Sequence, residues 1–354
     1  MTIPTEPIGS IPRPPALIEG MGAFAAGEIP EERLRELQDE ALRDTIERFE
    51  ATGSPVISDG EQTKSSFVTY PLTDLEDLAP DGAVIPFADG HTRQLPRLTA
   101  GPFRFGAYAA AYLEAAKVYA TVPVKQAVIA SSALSLLYPQ DGIGGYPRET
   151  FLDDLVVECE TDIRRALDAG AHAVQIDFTE GRLSVKLDPS GGLLRDFVAL
   201  NNRVLGRFSE DERRRIGVHT CPGGDRDSTH SADVPYSALL PDLFALDVGN
   251  VYVELAGEDD PGSVLDLIAE HRRPEQRVFV GVIDPIDPDV ETPEVVRDRV
   301  LAAAERIPLD RLGTTDDCGF SPFADDTSTS RDVAFEKIRA RVEGTALAAE
   351  RLGA

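Results

Sequence analysis

Short apolar segments rich in β-formers alternate with longer helical stretches along nearly the whole chain, and this alternation constrains the fold more than any other feature. Segments 55–58, 124–131, 173–177, 216–221, 251–255, 278–283 and 312–316 read as strands, and 8–11 could supply an eighth. Helical stretches intervene at 31–51, 108–121, 150–169 and 294–306, and a last helix covers 330–352. In 150–169 the residues Leu152, Leu155, Val156, Cys159, Ile163 and Leu167 fall at helical spacing, and the run stops at Gly170. Strands that alternate with helices imply a parallel sheet, because parallel neighbours need a crossover between them. Eight such units closing on themselves make a (β/α)₈ TIM barrel, of the α/β class. A doubly wound open sheet is the alternative, but no G-x-G-x-x-G follows a strand, which weakens dinucleotide binding. The expectation is one barrel domain spanning 1–354, with an irregular excursion, a hairpin or lid, at 71–102.

Composition narrows the partners. Hydrophobic residues make up 42% of the 354, which is ample for a core. Lys and Arg number 35 against 62 Asp and Glu, a net charge of −27, which repels nucleic acid and anionic membranes. Three widely spaced cysteines do not form a disulfide framework and fit a reducing cytoplasm. The N-terminal stretch lacks the pattern of a signal peptide, and no apolar run reaches the length of a membrane span.

The chemistry concentrates at three strand ends: His219-Thr220-Cys221, Val253-Glu254-Leu255 and Asp317-Cys318-Gly319. Residues i and i+2 of a strand share a side, so His219 and Cys221 face one way. In a barrel the C-terminal strand ends converge on one mouth. His219, Cys221, Glu254 and Cys318 together offer an imidazole, two thiols and a carboxylate, a full ligand set for tetrahedral zinc. Each has a bland reading as well, since a lone histidine is more often structural and a lone buried cysteine is usually a small hydrophobe. Cys159 on its helix face fits that reading, as do His91, His172 and His271, while His230 lies in a polar loop. Cys221 and Cys318 sit where strands break into glycine-bearing loops, a better place for ligands. Glu254 lies in an apolar run and needs a partner or a metal.

These pieces, in this order, resemble the C-terminal catalytic barrel of cobalamin-independent methionine synthases, most closely the short single-barrel members known as methionine synthase II. The resemblance covers nearly the whole chain through Ile8-Gly9-Ser10, Asp59-Gly60-Glu61, Gln175-Ile176-Asp177, His219-Thr220-Cys221, Glu254, Gly281-Val282-Ile283-Asp284 and Asp317-Cys318-Gly319-Phe320. It implies that His219, Cys221, Glu254 and Cys318 bind Zn²⁺. It implies that Ile8, Gly9 and Ser10 hold the homocysteine carboxylate through backbone amides, and that Glu61 and Asp177 bind its ammonium group. The chain also departs from the family. It has no room for the second barrel of the full-length members, and no tryptophan for the folate site. Ile286 stands where the family's proton-donating histidine falls, leaving Asp284 or Asp287 as candidate replacements. Arg13, Arg97, Arg182 and Lys186 are the nearest cations for an anionic donor, and read more simply as solvated surface charges.

The function expected from the resemblance is zinc-dependent methyl transfer to a thiol, with homocysteine as acceptor and methionine as product. The donor is a folate or a methylated corrinoid protein. In water a thiol with a pKa of about 8.5 is mostly protonated, and zinc coordination would hold it as thiolate. The alternatives are a zinc barrel that uses another electrophile, such as an epoxide, and a non-catalytic zinc-binding barrel.

Overall fold

The computed structural model describes residues 2–223 and 229–354. Ten short strands occur among them. Four belong to the excursion: β1 (Leu78–Ala79), β2 (Val84–Pro86), β3 (Thr92–Gln94) and β4 (Arg97–Leu98). The other six are β5 (Gln126–Ile129), β6 (Val174–Asp177), β7 (Ile216–Thr220), β8 (Asn250–Val253), β9 (Arg277–Gly281) and β10 (Leu312–Thr315). These six form one parallel sheet in chain order, with at least one helix in each crossover. The register sets Asp177 opposite His219, and His219 opposite Tyr252.

The two remaining staves of the barrel are single bridges rather than strands. Ile57 pairs with Val124 beside β5, and Thr5 pairs with Thr314 beside β10. Glu6 N donates to Thr314 O (3.0 Å), and Thr314 N donates to Pro4 O (2.9 Å). The ring closes between these staves, where Ile11 N donates to Gly60 O (3.0 Å) and Ser58 Oγ to Gly9 O (2.7 Å). The expected α/β TIM barrel is therefore present, but its first stave lies at Thr5 and not at 8–11, and 55–58 pairs only at Ile57. Proline supplies the reason: Pro4 and Pro7 lack the N–H that a longer ladder would need.

Valine and isoleucine fill the strands because both faces are covered, one by barrel contents and the other by helices. Val128, Val174, Val218, Val251 and Val278 are each buried. The final helix, Arg331–Leu352, starts at a Ser330 cap, whose Oγ accepts from Val333 N at 3.2 Å. It lies against helix Pro293–Ala304 at Gly344, where an added Cβ would come within 2.4 Å of Val296. The excursion is a nested hairpin, with β2 pairing β3 and β1 pairing β4, both antiparallel. Among the described residues no helix is long and apolar enough to cross a membrane.

Candidate metal and substrate site

β7 ends in His219 and Thr220, and the chain then turns through Cys221-Pro222-Gly223. The segment after β10 carries Cys318 to the same place. One ligand atom each from His219, Cys221 and Cys318 lie within 4.8 Å of one another, and all three residues are buried. Among the described residues neither ring nitrogen of His219 has a hydrogen-bond partner. A buried imidazole left unpaired on both sides is costly, and it is the usual mark of a group waiting for a ligand. Burial raises the Cys221 thiol, but the neighbouring Cys318 and His219 outweigh it and hold it well below its ordinary range. Burial and Cys221 push Cys318 the other way. Two thiols and a neutral imidazole suit a zinc ion, which prefers nitrogen and sulfur donors.

Glu254 is not in that group of three. It is buried, and its Oε2 takes a hydrogen bond from Arg182 Nη1 at 2.7 Å, while the same Nη1 lies 2.8 Å from Glu258 Oε1. Burial keeps its carboxyl well above the usual range despite Arg182. Arg182 is thus not the solvated surface charge expected, because its helix Glu180–Leu187 is packed beneath a pair of glutamates. The same correction applies to Arg13, which is buried and donates to the carbonyls of Glu61 (2.6 Å), Lys64 (2.9 Å) and Gln62 (3.3 Å). Arg97 is half-buried and pairs with Asp81, and Lys186 is exposed and pairs with Asp233.

The expected substrate residues gather beside the thiols. Ile8, Ser10, Glu61, Asp177, His219 and Cys318 line one small cavity. Gly9 is buried next to it, with a φ of +154°. Gly319 passes so close that a Cβ there would lie 2.1 Å from Ser10 Oγ. Glu61 holds a left-handed φ of +57°, an uncommon conformation for a non-glycine residue. Its Oε1 accepts from Lys64 Nζ at 2.9 Å, and Asp59 Oδ1 accepts from Glu61 N at 3.1 Å. Asp177, held by Gln175 Nε2 at 2.7 Å, is pushed up to about 7 by burial and by the charge of Glu61. Both acids line the same cavity, where Lys64 Nζ already pairs with Glu61.

Asp284 and Asp287 line neither this cavity nor the larger one beside it. Asp284 is half-buried, and its Oδ1 accepts from Ile286 N at 2.8 Å. Asp287 is exposed and caps Asp289 N at 2.9 Å.

Sequence reasoning missed Asp317 and Glu180. Asp317 binds three successive amides with its carboxylate, Leu255 and Ala256 at 3.0 Å and Gly257 at 2.7 Å, and so ties the Glu254 loop to the Cys318 loop. Its place beside Cys318 was the available signal. Glu180 gave none, because its burial comes from packing against a different βα unit. Both thiols also open on the larger cavity, of ≈ 390 Å³, walled by hairpin residues Ile85, Phe87, Arg93 and Leu95 together with Glu180 and Phe323. The excursion therefore covers the site. His230 lies on the same wall, with Phe87 edge-on at 6.1 Å.

The fold and site thus define an α/β barrel whose mouth brings two thiols and an imidazole beside two acidic side chains. Residues 3–334 match the profile of the cobalamin-independent synthase catalytic domain, and the chain belongs to that family. It is 23% identical over 359 residues to the methionine synthase of Sulfurisphaera tokodaii, covering 99% of this chain and 94% of that one. It is also 23% identical to the uncharacterised protein YxjH of Bacillus subtilis, covering 94% and 91%. The solved structure of a B12-independent methionine synthase from Shewanella sp. W3-18-1, in complex with selenomethionine, superposes with a TM-score of 0.78 at 21% identity, covering 99% of each chain. A putative vitamin-B12-independent methionine synthase from Listeria monocytogenes gives 0.72 at 21%, covering 98% of each. Both share the fold.

Proposed function

We propose that this chain, acting as one catalytic unit, is a zinc-dependent methyltransferase of the methionine synthase type, with homocysteine as its methyl acceptor. One observation carries the reading: His219, Cys221 and Cys318 converge, with both His219 nitrogens unpartnered among the described residues, beside a cavity that Glu61 and Asp177 also line. The first set suits a metal that binds thiols, and the second suits an ammonium group on the same small molecule. The family match and the curated methionine synthases of similar sequence point the same way.

His219, Cys221 and Cys318 would hold the zinc, with Glu254 as the fourth candidate ligand. Bound there, zinc supplies Lewis acidity that keeps a substrate thiol deprotonated at neutral pH. The protein's own groups do the rest. Glu61 and Asp177 clamp the ammonium group, and the Ile8–Ser10 turn presents its backbone to the carboxylate, which together fix where the sulfur sits. Arg182 Nη1 donates to Glu254 Oε2, a partner that would receive the carboxylate when Glu254 yields its place to a substrate sulfur. The hairpin wall excludes water, which would otherwise solvate the thiolate and blunt its attack.

The test is zinc content together with homocysteine-dependent methyl transfer from methyltetrahydrofolate, its triglutamate and methylcobalamin in parallel. About one zinc per chain, with methionine formed from any of these, is the expected result. Absence of zinc from the purified, reduced protein would sink the reading.

A further inference from the structure

The larger cavity contains a buried acid that no step above uses. Glu180 opens helix Glu180–Leu187, three residues after Asp177, and is only 8% exposed. One carboxylate oxygen, Oε1, takes a hydrogen bond from Ser132 Oγ. Ser132 Oγ in turn accepts from Asn201 Nδ2 at 2.8 Å, and Asn201 Oδ1 accepts from Ser131 Oγ at 2.7 Å. The other oxygen, Oε2, is buried and has no hydrogen-bond partner among the described residues. Two neighbouring βα units thus hold the carboxyl through Oε1, and Oε2 has no side-chain partner among the described residues. The same residue lines the ≈ 390 Å³ cavity onto which Cys221 and Cys318 also open.

We propose that Glu180 is the acid that protonates the departing group of the methyl donor, with Ile286 standing where the family has a histidine for that task. The proposal rests on the thiol-methylation reading above. In the step, the substrate sulfur forms a bond to the methyl carbon as the bond from that carbon to the donor atom breaks. The electron pair of the broken bond stays on the donor atom, which takes the proton from Glu180 Oε2. Glu180 is left as a carboxylate and regains its proton from water. The donor is therefore of a class whose leaving atom becomes basic as the bond breaks, such as an amine nitrogen. A sulfonium, which leaves as a neutral thioether, would have no use for this acid.

The protonation state agrees with the geometry. Burial pushes the Glu180 carboxyl up to about 8, against the lowering effect of Ser132 and of the amides of Glu180 and Ala133. Asp177 on β6 adds to the rise, while Arg93, Asp325, His230, Cys221 and Cys318 are the other charged or titratable groups on this cavity. An acid that is neutral at pH 7 and loses its proton just above is well matched to proton donation. Asp284 and Asp287 lie outside the cavity and offer no such position.

The test compares zinc-loaded wild type with Glu180→Gln in two measurements. The first is the infrared difference spectrum between them at pH 6.5 and 9.5. A protonated-carboxyl band present at the lower pH, lost at the higher, and missing from the variant is expected; its absence at the lower pH overturns the proposal whatever the donor. The second is methyl transfer to homocysteine from methyltetrahydrofolate and from iodomethane, whose iodide leaves without a proton. Loss of proton donation is expected to lower kcat with methyltetrahydrofolate by about 10²–10⁴-fold, with homocysteine KM within about twofold. The loss with iodomethane should be at least tenfold smaller. Equal losses with both donors, or no loss with either, would overturn the assignment. Failure of wild type to methylate homocysteine even with iodomethane would instead sink the thiol-methylation reading, and the infrared band then decides on the acid.

Discussion

Two buried polar clusters share the interior of this barrel, and they are finished differently. In the first, each ionisable group has a charged or polar partner, although Asp316 Oδ1 and Arg341 Nε are left unpaired among the described residues. Lys125 Nζ donates to Gln175 Oε1 at 2.8 Å, lies 3.7 Å from Glu6 Oε2 and sits 4.0 Å from the centre of the Tyr252 ring. Glu6 also accepts from Tyr252 Oη at 2.7 Å, and its other oxygen lies 3.3 Å from His172 Nε2. Arg341 pairs with Asp316. At the mouth, both nitrogens of His219 and Oε2 of Glu180 go unpaired among the described residues. Both clusters leave buried polar atoms unpaired, but Asp316 and Arg341 line neither cavity, whereas His219 and Glu180 do. The difference teaches that the mouth groups are kept for ligands, because an unpaired buried polar group otherwise only costs stability.

That contrast can be broken at either end. The largest effect is expected at the mouth: Cys318→Ser should abolish stoichiometric zinc and lower methyl transfer by more than about 10³-fold, more than the 10–100-fold typical of groups that merely orient a ligand. Metal analysis and turnover check it, and a variant that kept both would remove the thiol pair from the site. In the partnered cluster, Lys125→Met leaves Glu6 facing only His172 and Tyr252. An uncompensated buried charge should cost about 3 kcal/mol in urea unfolding while zinc content holds. A loss of zinc without a loss of stability would show that the two clusters are not separate.

The third prediction turns the comparison into a pH dependence. Glu180 is raised from an ordinary 4.5 to about 8. A folded-state value above the unfolded one means that the folded protein binds the extra proton, so the stability this group contributes is complete below pH 4.5 and is lost as pH rises through 8. Glu180→Gln cannot ionise. Its stability relative to wild type should therefore rise by about 3–5 kcal/mol between pH 4.5 and 9. Unfolding titrations across that range, with a flat difference as the contrary result, would decide it. A substitution that weakens turnover yet stabilises the alkaline protein is what the unpaired mouth implies, and it is opposite in sign to Lys125→Met.

Much of this was legible in the sequence, for identifiable reasons. The parallel strands were visible because both of their faces are buried, so their apolar runs are dense: 173–177 and 216–221 bracket β6 and β7 within a residue or two. The first stave was misplaced by several residues because Pro4 and Pro7 leave too few N–H groups for a ladder, and a bridge at Thr5 has no period to read. His219, Cys221 and Cys318 could be picked out because few residue types bind metals and all three stood at strand ends. Arg182 and Glu180 could not be. Each is charged and set on a helix that begins in polar residues, which reads as a solvated face. Only the tertiary packing, Glu254 and Glu258 over Arg182 and Ser132 against Glu180, takes them out of water. The excursion was legible as a break in pattern, while its position over the site was not, because hairpin contacts to the barrel leave no periodic trace.

The smallest effect concerns that hairpin. Arg93 on β3 stands over the Phe323 ring at 3.9 Å and reaches Asp325 at 3.0 Å and Asp326 at 3.3 Å. It ties the tip of the excursion to the segment that follows Cys318, across the ≈ 390 Å³ cavity. Partly exposed ion pairs contribute about 0.2–1 kcal/mol and a cation over an aromatic face about 0.5–1 kcal/mol, so the tie is a weak one. A weak tie suits a wall that must open for a donor to enter and a product to leave. Arg93→Gln should then raise the donor KM about three- to tenfold, with little change in homocysteine KM, because Glu61 and Asp177 lie in the neighbouring cavity that Arg93 does not line. Steady-state kinetics with each substrate varied in turn separates the two. If homocysteine KM rose as much as the donor's, the hairpin would be closing over the whole mouth rather than over the donor side alone.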